Sequence, residues 1–272
     1  MVHFLLQTQV FRIWIGLAGT VLWLAGCATP LTHTDLASNH PGVEVPPGQV
    51  HLRQIHPDVW IHVSTKRFSN NSVFPMNGMI VRDGKGLLLV DTAWGEAATE
   101  ALLAAVEREI GLPVRRAVVT HFHDDRLSGT RILEDRGVEV FCTELTRELA
   151  TAEENATPSS TLADLNAPGS AVAIGPIEAF YPGPGHARDN IVVYVPGARI
   201  LFGGCAVHEM ARRGPGNIAD ADLDAWPTSL RMVKGRYPDA KVVIPGHGIP
   251  GGIELLDHSI AVLARYRASN AP

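Results

Sequence analysis

From Val59 onward, short β-rich apolar runs alternate with longer segments of helical spacing. Val59-Trp60-Ile61-His62-Val63 reads as a strand, and the polar stretch Lys66 to Val73 predicts an exposed loop. Gly78 to Val81 and Leu87 to Val90 flank Asp83-Gly84-Lys85-Gly86, a strong hairpin signal. Between Glu96 and Ile110, apolar residues fall at Ala97, Ala101, Leu102, Ala105 and Val106, the period of a helix that stops at Gly111 and Pro113. Ala117 to Thr120 predicts the next strand. A short helix near Gly129 to Arg136, a strand at Val138 to Cys142, a helix at Thr143 to Ala152 and a loop from Glu153 to Ser170 follow. Strands recur at Ile177 to Tyr181, Ile191 to Val195, Arg199 to Phe202 and Lys241 to Ile244, with helices at about Leu223 to Lys234 and Ile253 to Arg267. Strands mixed with helices through both halves predict α/β or α+β layers in one domain.

The N-terminus has a different grammar. Ile13 to Gly26 is mostly apolar, preceded by Arg12 and followed by a polar stretch from Thr29. It is shorter than the roughly twenty residues a transmembrane helix needs, and it fits the apolar core of a secretory signal. Leu24-Ala25-Gly26-Cys27 resembles the lipobox of bacterial lipoproteins. That likeness implies cleavage before Cys27, a lipid on Cys27, and sorting to the outer membrane by Ala28. The alternative is an ordinary cleavable signal with an incidental cysteine. Pro41, Pro46, Pro47 and Gly48 then mark an extended tether. The expected organisation is a signal peptide over 1–26, a tether over 27–49 and a catalytic-sized domain over 50–272. The mature protein is expected in the periplasm.

Composition narrows the function. With 46% hydrophobic and 19% charged residues, the chain is globular rather than disordered. A net charge of −5 leaves no electrostatic footprint for nucleic acid, and three cysteines cannot form a disulfide framework. Twelve histidines point instead toward metal chemistry.

The sharpest motif is His121-Phe122-His123-Asp124-Asp125-Arg126, directly after the strand expected to end at Thr120. In an extended segment His121, His123 and Asp125 would alternate onto one side. Three other strands end in the same way: Pro182-Gly183-Pro184-Gly185-His186, Gly203-Gly204-Cys205 and Pro245-Gly246-His247-Gly248. Each is a β-run, then Gly or Pro, then one side chain able to bind a metal. Four strand ends sharing one rim would gather His121, His123, His186, Asp125, Cys205 and His247. That is enough for two Zn2+ ions with positions left open for water. Structural zinc sites are closed and usually cysteine-rich, so a non-catalytic zinc-binding lipoprotein is the weaker reading.

These motifs carry a specific resemblance. With Asp91-Thr92-Ala93-Trp94-Gly95, Gly203 to Glu209, Gly216 to Leu223 and Ile244 to Gly248, the stretch from about Val59 to Tyr266 resembles a metallo-β-lactamase of subclass B1. It is most similar to the Verona integron-encoded branch, and its lipobox to the membrane-anchored New Delhi branch. The resemblance implies a four-layer αβ/βα sandwich, two mixed sheets flanked by helices, with the metals at one edge. It assigns His121, His123 and His186 to a first zinc and Asp125, Cys205 and His247 to a second. Lactonases, glyoxalase-II-like thioesterases and phosphodiesterases of the same fold typically carry His after the motif aspartate and a bridging aspartate later. Arg126 and Cys205 stand at those places, which favours the lactamase branch over another hydrolase of this fold.

The implied activity is attack of a zinc-bound hydroxide on the β-lactam ring of penicillins, cephalosporins and carbapenems, conferring antibiotic resistance. The partners implied are a small β-lactam, no nucleic acid, and the membrane through the lipid anchor alone, for a monomer. Asp125 and Asn217 are the implied catalytic residues. Arg212 is expected to meet the substrate carboxylate, with Arg213 a neighbouring candidate. His208 stands where relatives place Lys, so its help is expected to fade above a pKa of about 6.5. Asn217 is the group expected to orient the substrate. Phe68 and Phe74 belong to an implied flap, where they either cover substrate or pack. Asp91 and Arg126 are expected to orient ligands from beneath, and Trp94 to pack under the site. Asp124 is expected to be the solvated partner of Asp125, and Cys142 to be inert core. Ser128, where the family usually has Gly, either caps or shifts the first helix.

Overall fold

The computed structural model describes residues 45–270. The signal peptide, Cys27 and most of the tether lie outside them. The first sheet holds seven strands in sequence order: β1 (Val50–His56), β2 (Val59–Arg67), β3 (Val73–Asp83), β4 (Gly86–Val90), β5 (Val114–Val118), β6 (Glu139–Cys142) and β7 (Ser160–Thr161). It is antiparallel from β1 to β4 and parallel from β4 to β7. The second sheet has the order β12-β11-β10-β9-β8, from β8 (Ala171–Ile174), β9 (Ile177–Phe180), β10 (Val192–Val195), β11 (Ile200–Gly204) and β12 (Val242–Pro245). Only its β11–β12 pair is parallel.

Side-chain alternation builds four layers from these sheets. On β2 and β4, Val59, Ile61, Val63, Leu88 and Val90 face inward to meet Ile177, Val193, Ile200, Phe202 and Ile244 of the second sheet. The intervening Trp60, Leu87 and Leu89 face outward, packing with Leu102 and Val106 of α1 (Glu96–Glu109). Likewise Leu201 and Val243 meet Leu230 of α5 (Trp226–Arg236) and Leu256 of α6 (Glu254–Ser269). Buried on both faces, β4 reads as a continuous apolar run, Gly-Leu-Leu-Leu-Val. The two mixed sheets flanked by helices are the architecture expected of the family. No helix among the described residues is long and apolar enough to cross a membrane.

Two local expectations change. β5 ends at Val118, two residues early, because the Thr120 N–H donates to the Asp91 carboxylate at 2.7 Å instead of continuing a ladder. His121 to Asp125 is not extended: a bend leads into a one-turn helix, α2 (Asp124–Leu127), in which the Arg126 and Ser128 N–H groups bond the carbonyls of His123 and Asp124. The short helix expected near Gly129 starts at Thr130 as α3 (Thr130–Glu134). Strands β1 and β8 carry too mixed a polarity to stand out in the sequence; antiparallel pairing with β2 and β9 forms them.

Candidate metal centre

All of the sequence-derived ligands lie just beyond strand ends on one edge of the sandwich. His121, His123 and Asp125 follow β5, His186 follows β9, Cys205 follows β11 and His247 follows β12. A site at the carboxyl ends of strands is the usual consequence of parallel pairing, here in both sheets. The donor atoms of His121, His123 and His186 lie within 4.8 Å of one another, as do those of His121, Asp125 and Cys205. His247 joins the second set, its Nε2 standing 3.3 Å from both the Asp125 carboxylate and the Cys205 Sγ.

Hydrogen bonds fix which nitrogen of each ring is free. The Thr120 hydroxyl donates to Asp91 Oδ2 at 3.0 Å, so its oxygen accepts from His121 Nδ1 at 3.2 Å. The Nε2 of His121 is then a lone-pair acceptor, and it is buried with no partner among the described residues. His123 donates from Nε2 to Asp220 Oδ2 at 3.0 Å, which turns its Nδ1 toward His186 Nε2, 3.1 Å away. His247 donates from Nδ1 to the Pro75 carbonyl at 2.7 Å and presents Nε2 to the second set. Burial, then the neighbouring imidazoles, holds His121 well below the usual histidine range and His186 down to about 3. Both are neutral ligands at physiological pH.

Beneath the second set lies Arg126, wholly buried. Its guanidinium donates to Cys205 Sγ at 2.9 Å, to the Asp125 carboxylate at 2.9 Å, and to the carbonyls of Asn77 and Gly246 at 2.8 and 3.0 Å. Asp91 lies 3.4 Å from the same group. Burial alone would raise the Asp125 carboxyl, but Arg126 and His247 outweigh it and hold it well below the usual range. For Cys205 burial wins and pushes the thiol well above its ordinary value. Burial also lifts Asp91 to about 7. Asp91 sits at φ 60°, a left-handed conformation rare for a side chain other than Gly or Asn. The strand-end glycine at 246 is required by crowding, since a Cβ there would lie 2.7 Å from the Arg126 guanidinium and 2.8 Å from Cys205 Sγ.

The donor set suits zinc. An orphaned buried nitrogen, two imidazole nitrogens facing each other, and a thiol and carboxylate served by a single guanidinium all call for added positive charge. Imidazole, thiolate and carboxylate are its ordinary ligands.

Above the ligands opens a cavity of about 850 Å³, a size suited to a small organic molecule. Phe68, Phe74, Arg212, His208 and Asn217 all line it. Phe74 stands edge-on to the His247 ring at 5.1 Å, and Phe68 edge-on to Trp94 at 5.6 Å. Arg212 is held toward the cavity by the Gly214 carbonyl at 3.1 Å, whereas Arg213 lines a separate shallow recess beside it. Asn217 is exposed, its side-chain oxygen accepting from the Ala219 N–H at 3.2 Å.

Several expectations need correction. His208 is buried, bonded through Nε2 to the Pro215 carbonyl at 3.2 Å, and burial lowers its pKa to about 4. It is neutral at physiological pH, so it offers a substrate carboxylate no charge. Trp94 lines the cavity wall rather than packing beneath the site. Asp124 is not the partner of Asp125: it pairs with Lys66 at 2.8 Å and accepts from the Trp94 indole at 3.1 Å. Ser128 accepts the Gly95 N–H at 2.8 Å, tying α2 to the start of α1 without capping the first-turn N–H groups of that helix. Cys142, by contrast, is buried core as expected, and burial pushes its thiol up to about 12.

Sequence reasoning missed Asp220, Asn77 and Glu153. Asp220 orients His123, and Asn77 donates to the Pro245 and Gly248 carbonyls at 2.9 and 2.7 Å, fixing the His247 loop. Neither has a local signature, because each partner lies far away in the chain. Glu153, in a stretch read as plain loop, lines the cavity.

The sequence family described as the metallo-beta-lactamase superfamily matches residues 72–247. The chain is 35% identical over 257 residues to a metallo-beta-lactamase type 2 of Bacillus cereus, covering 90% of this chain and 98% of that one. Its fold is similar to the solved metallo-beta-lactamase from Pontibacter korlensis, with a TM-score of 0.74 and 41% identity over 79% of this chain and 99% of the other. The solved enzyme from Hirschia baltica gives a TM-score of 0.76 at 34% identity, over 79% and 98% of the two chains.

Proposed function

Because the chain belongs to the metallo-beta-lactamase superfamily and is a zinc-dependent β-lactamase by that kinship, we propose that it uses two zinc ions to open the ring of penicillins, cephalosporins and carbapenems, conferring resistance to them. The observation that carries this is the convergence of six donor groups in two sets beneath one cavity, with the free nitrogens of His121, His123 and His247 set by bonds to Thr120, Asp220 and Pro75. Cys205 and Arg126 support the subclass B1 branch.

In this reading His121, His123 and His186 hold one ion, and Asp125, Cys205 and His247 the other. When bound, zinc supplies a Lewis acid for the amide carbonyl and brings the pKa of water from 15.7 to about 7. The chain's own residues do the rest. Arg212 fixes the substrate carboxylate, and Asn217 offers an amide N–H to the ring carbonyl or carboxylate. Phe68, Phe74 and Trp94 cover apolar substituents and exclude bulk water. Asp125, kept ionised by Arg126, accepts a hydrogen bond from the attacking water. Hydrolysis adds that water across the C–N bond, leaving a carboxylate and a protonated ring nitrogen.

The decisive assay follows loss of a carbapenem's ring absorbance with purified protein. Turnover abolished by a zinc chelator and restored by added zinc is expected. No turnover with about two zinc ions bound would sink the assignment, and lactones and thioesters would be tested next.

The N-terminal reading belongs to the same proposal: lipid on Cys27 anchors a monomer to the outer membrane, facing the periplasm. Cys27→Ser should move the protein from the membrane to the soluble periplasmic fraction. An unchanged distribution would refute the anchor.

A further inference from the structure

Outside the ligands themselves, four acidic side chains line the cavity, and Arg212 is the sole Arg or Lys among the lining residues. Three of the four are already engaged. Asp124 is paired with Lys66, Asp220 accepts from His123, and Glu209 accepts the Ile249 N–H at 2.9 Å. Glu153 is different: it is exposed, and its carboxylate, unlike its backbone N–H, has no hydrogen-bond or ion-pair partner among the described residues. It is also the C-cap of the helix Glu144–Ala152, whose last turn has no basic residue. A carboxylate at a helix C-terminus faces the negative end of the macrodipole, so this position does nothing for stability. What it does is put a free negative charge on the cavity wall, on a different loop from Arg212.

We propose that Glu153 selects substrates by the charge of the substituent they turn toward its wall. With the invariant carboxylate taken by Arg212, a substrate that also carries a cationic group is favoured, and one with a second carboxylate is disfavoured. The inference rests on the β-lactamase reading above. Glu153 touches no ligand, so its effect is on binding and appears in KM more than in kcat. A unit charge in partly aqueous surroundings changes the ratio between oppositely charged substrates by about three- to tenfold, and salt screens the effect.

The test uses the zinc-loaded protein and three cephalosporins on one nucleus, bearing a neutral group, a quaternary ammonium and an extra carboxylate. In wild type, kcat/KM should rank cationic above neutral above dianionic, with the spread narrowing as salt rises from about 0.02 to 0.5 M. Glu153→Gln should shrink the cationic-to-dianionic ratio by about three- to tenfold, and Glu153→Lys should invert it. Calorimetric titration of chelator-stripped protein, which turns nothing over, should give the same order of Kd. A ratio unchanged in both variants, or an equal shift for all three substrates, would overturn the proposal. If wild type hydrolyses none of the three, the β-lactamase reading fails by itself, and the calorimetric ranking still decides the role of Glu153.

Discussion

Replacing Arg126 by alanine removes a guanidinium that neutralises Asp125, approaches Asp91 and donates to Cys205 Sγ, all of them buried. In the chelated protein no metal ion stands in for the lost charge. Breaking a buried ion pair by removing one partner typically costs about 3–5 kcal/mol, because the remaining charge is left uncompensated. The Asn77 carbonyl also loses the Arg126 donor, adding about 1–3 kcal/mol, whereas the Gly246 carbonyl keeps the Asn77 N–H at 2.8 Å. Part of this is recovered, since Asp91, already lifted to about 7, can take up a proton once the cation is gone. The expected net loss is therefore about 3–5 kcal/mol. Arg126→Lys keeps the charge but cannot span all these acceptors from one ammonium, and should lose about 1–3 kcal/mol. Urea unfolding of the chelated proteins, followed by tryptophan fluorescence, measures both. A loss under about 1 kcal/mol in the alanine variant would refute the claim that the buried anions depend on Arg126.

Asp220→Ala should leave the fold intact but weaken zinc binding about 10- to 100-fold in a chelator competition, because His123 loses the partner that orients it; unchanged affinity would remove Asp220 from that role. His62 is wholly buried against the Asp91 carbonyl and Gly78, and burial depresses its pKa from 6.5 to about 4. Between those values the unfolded chain binds one proton more than the folded one, so acid costs stability at about 1.4 kcal/mol per pH unit. His62→Gln should flatten this acid limb in chelated protein between pH 7 and about 4.5, and a wild-type-minus-variant difference constant with pH would count against it.

The fold was legible where a strand is buried on both faces or a helix keeps its period, as in β4 and α1. It was least legible where pairing alone makes the element: β1 exposes His51 and Gln54 and is held by its register with β2. The ligands were legible because glycine or proline punctuates the ends of three of their strands. Their conformation was not, since the turn at His121 to Asp125 depends on Asp91, thirty positions away and invisible to any local window. Charge states were hidden for the same reason. His208 looks in sequence like a titrating group facing solvent, and burial, against the opposing pull of its bond to Pro215, holds it neutral.

The donors of each set are divided between the two sheets, and side chains at the sheet edges tie those edges together. His121, His123 and Asp125 follow β5 of the first sheet, while His186, Cys205 and His247 follow strands of the second. Each three-donor set therefore draws on both sheets, at an edge of the molecule where polar groups replace the apolar core. The first sheet brings two buried carboxyl groups, Asp91 and Asp125, to this edge. Arg126 joins the first sheet to Cys205 and the Gly246 carbonyl of the second, and Asn77 on β3 joins the two sheets again through the Pro245 and Gly248 carbonyls. These bonds tie the two donor-bearing edges together, on a sandwich that three apolar clusters already hold. In a zinc finger, by contrast, metal binding and folding are a single event. Here the apolar clusters and the Arg126 and Asn77 bonds predict that chelator-stripped protein keeps its secondary structure, and its loss on chelation, read by circular dichroism, would refute this.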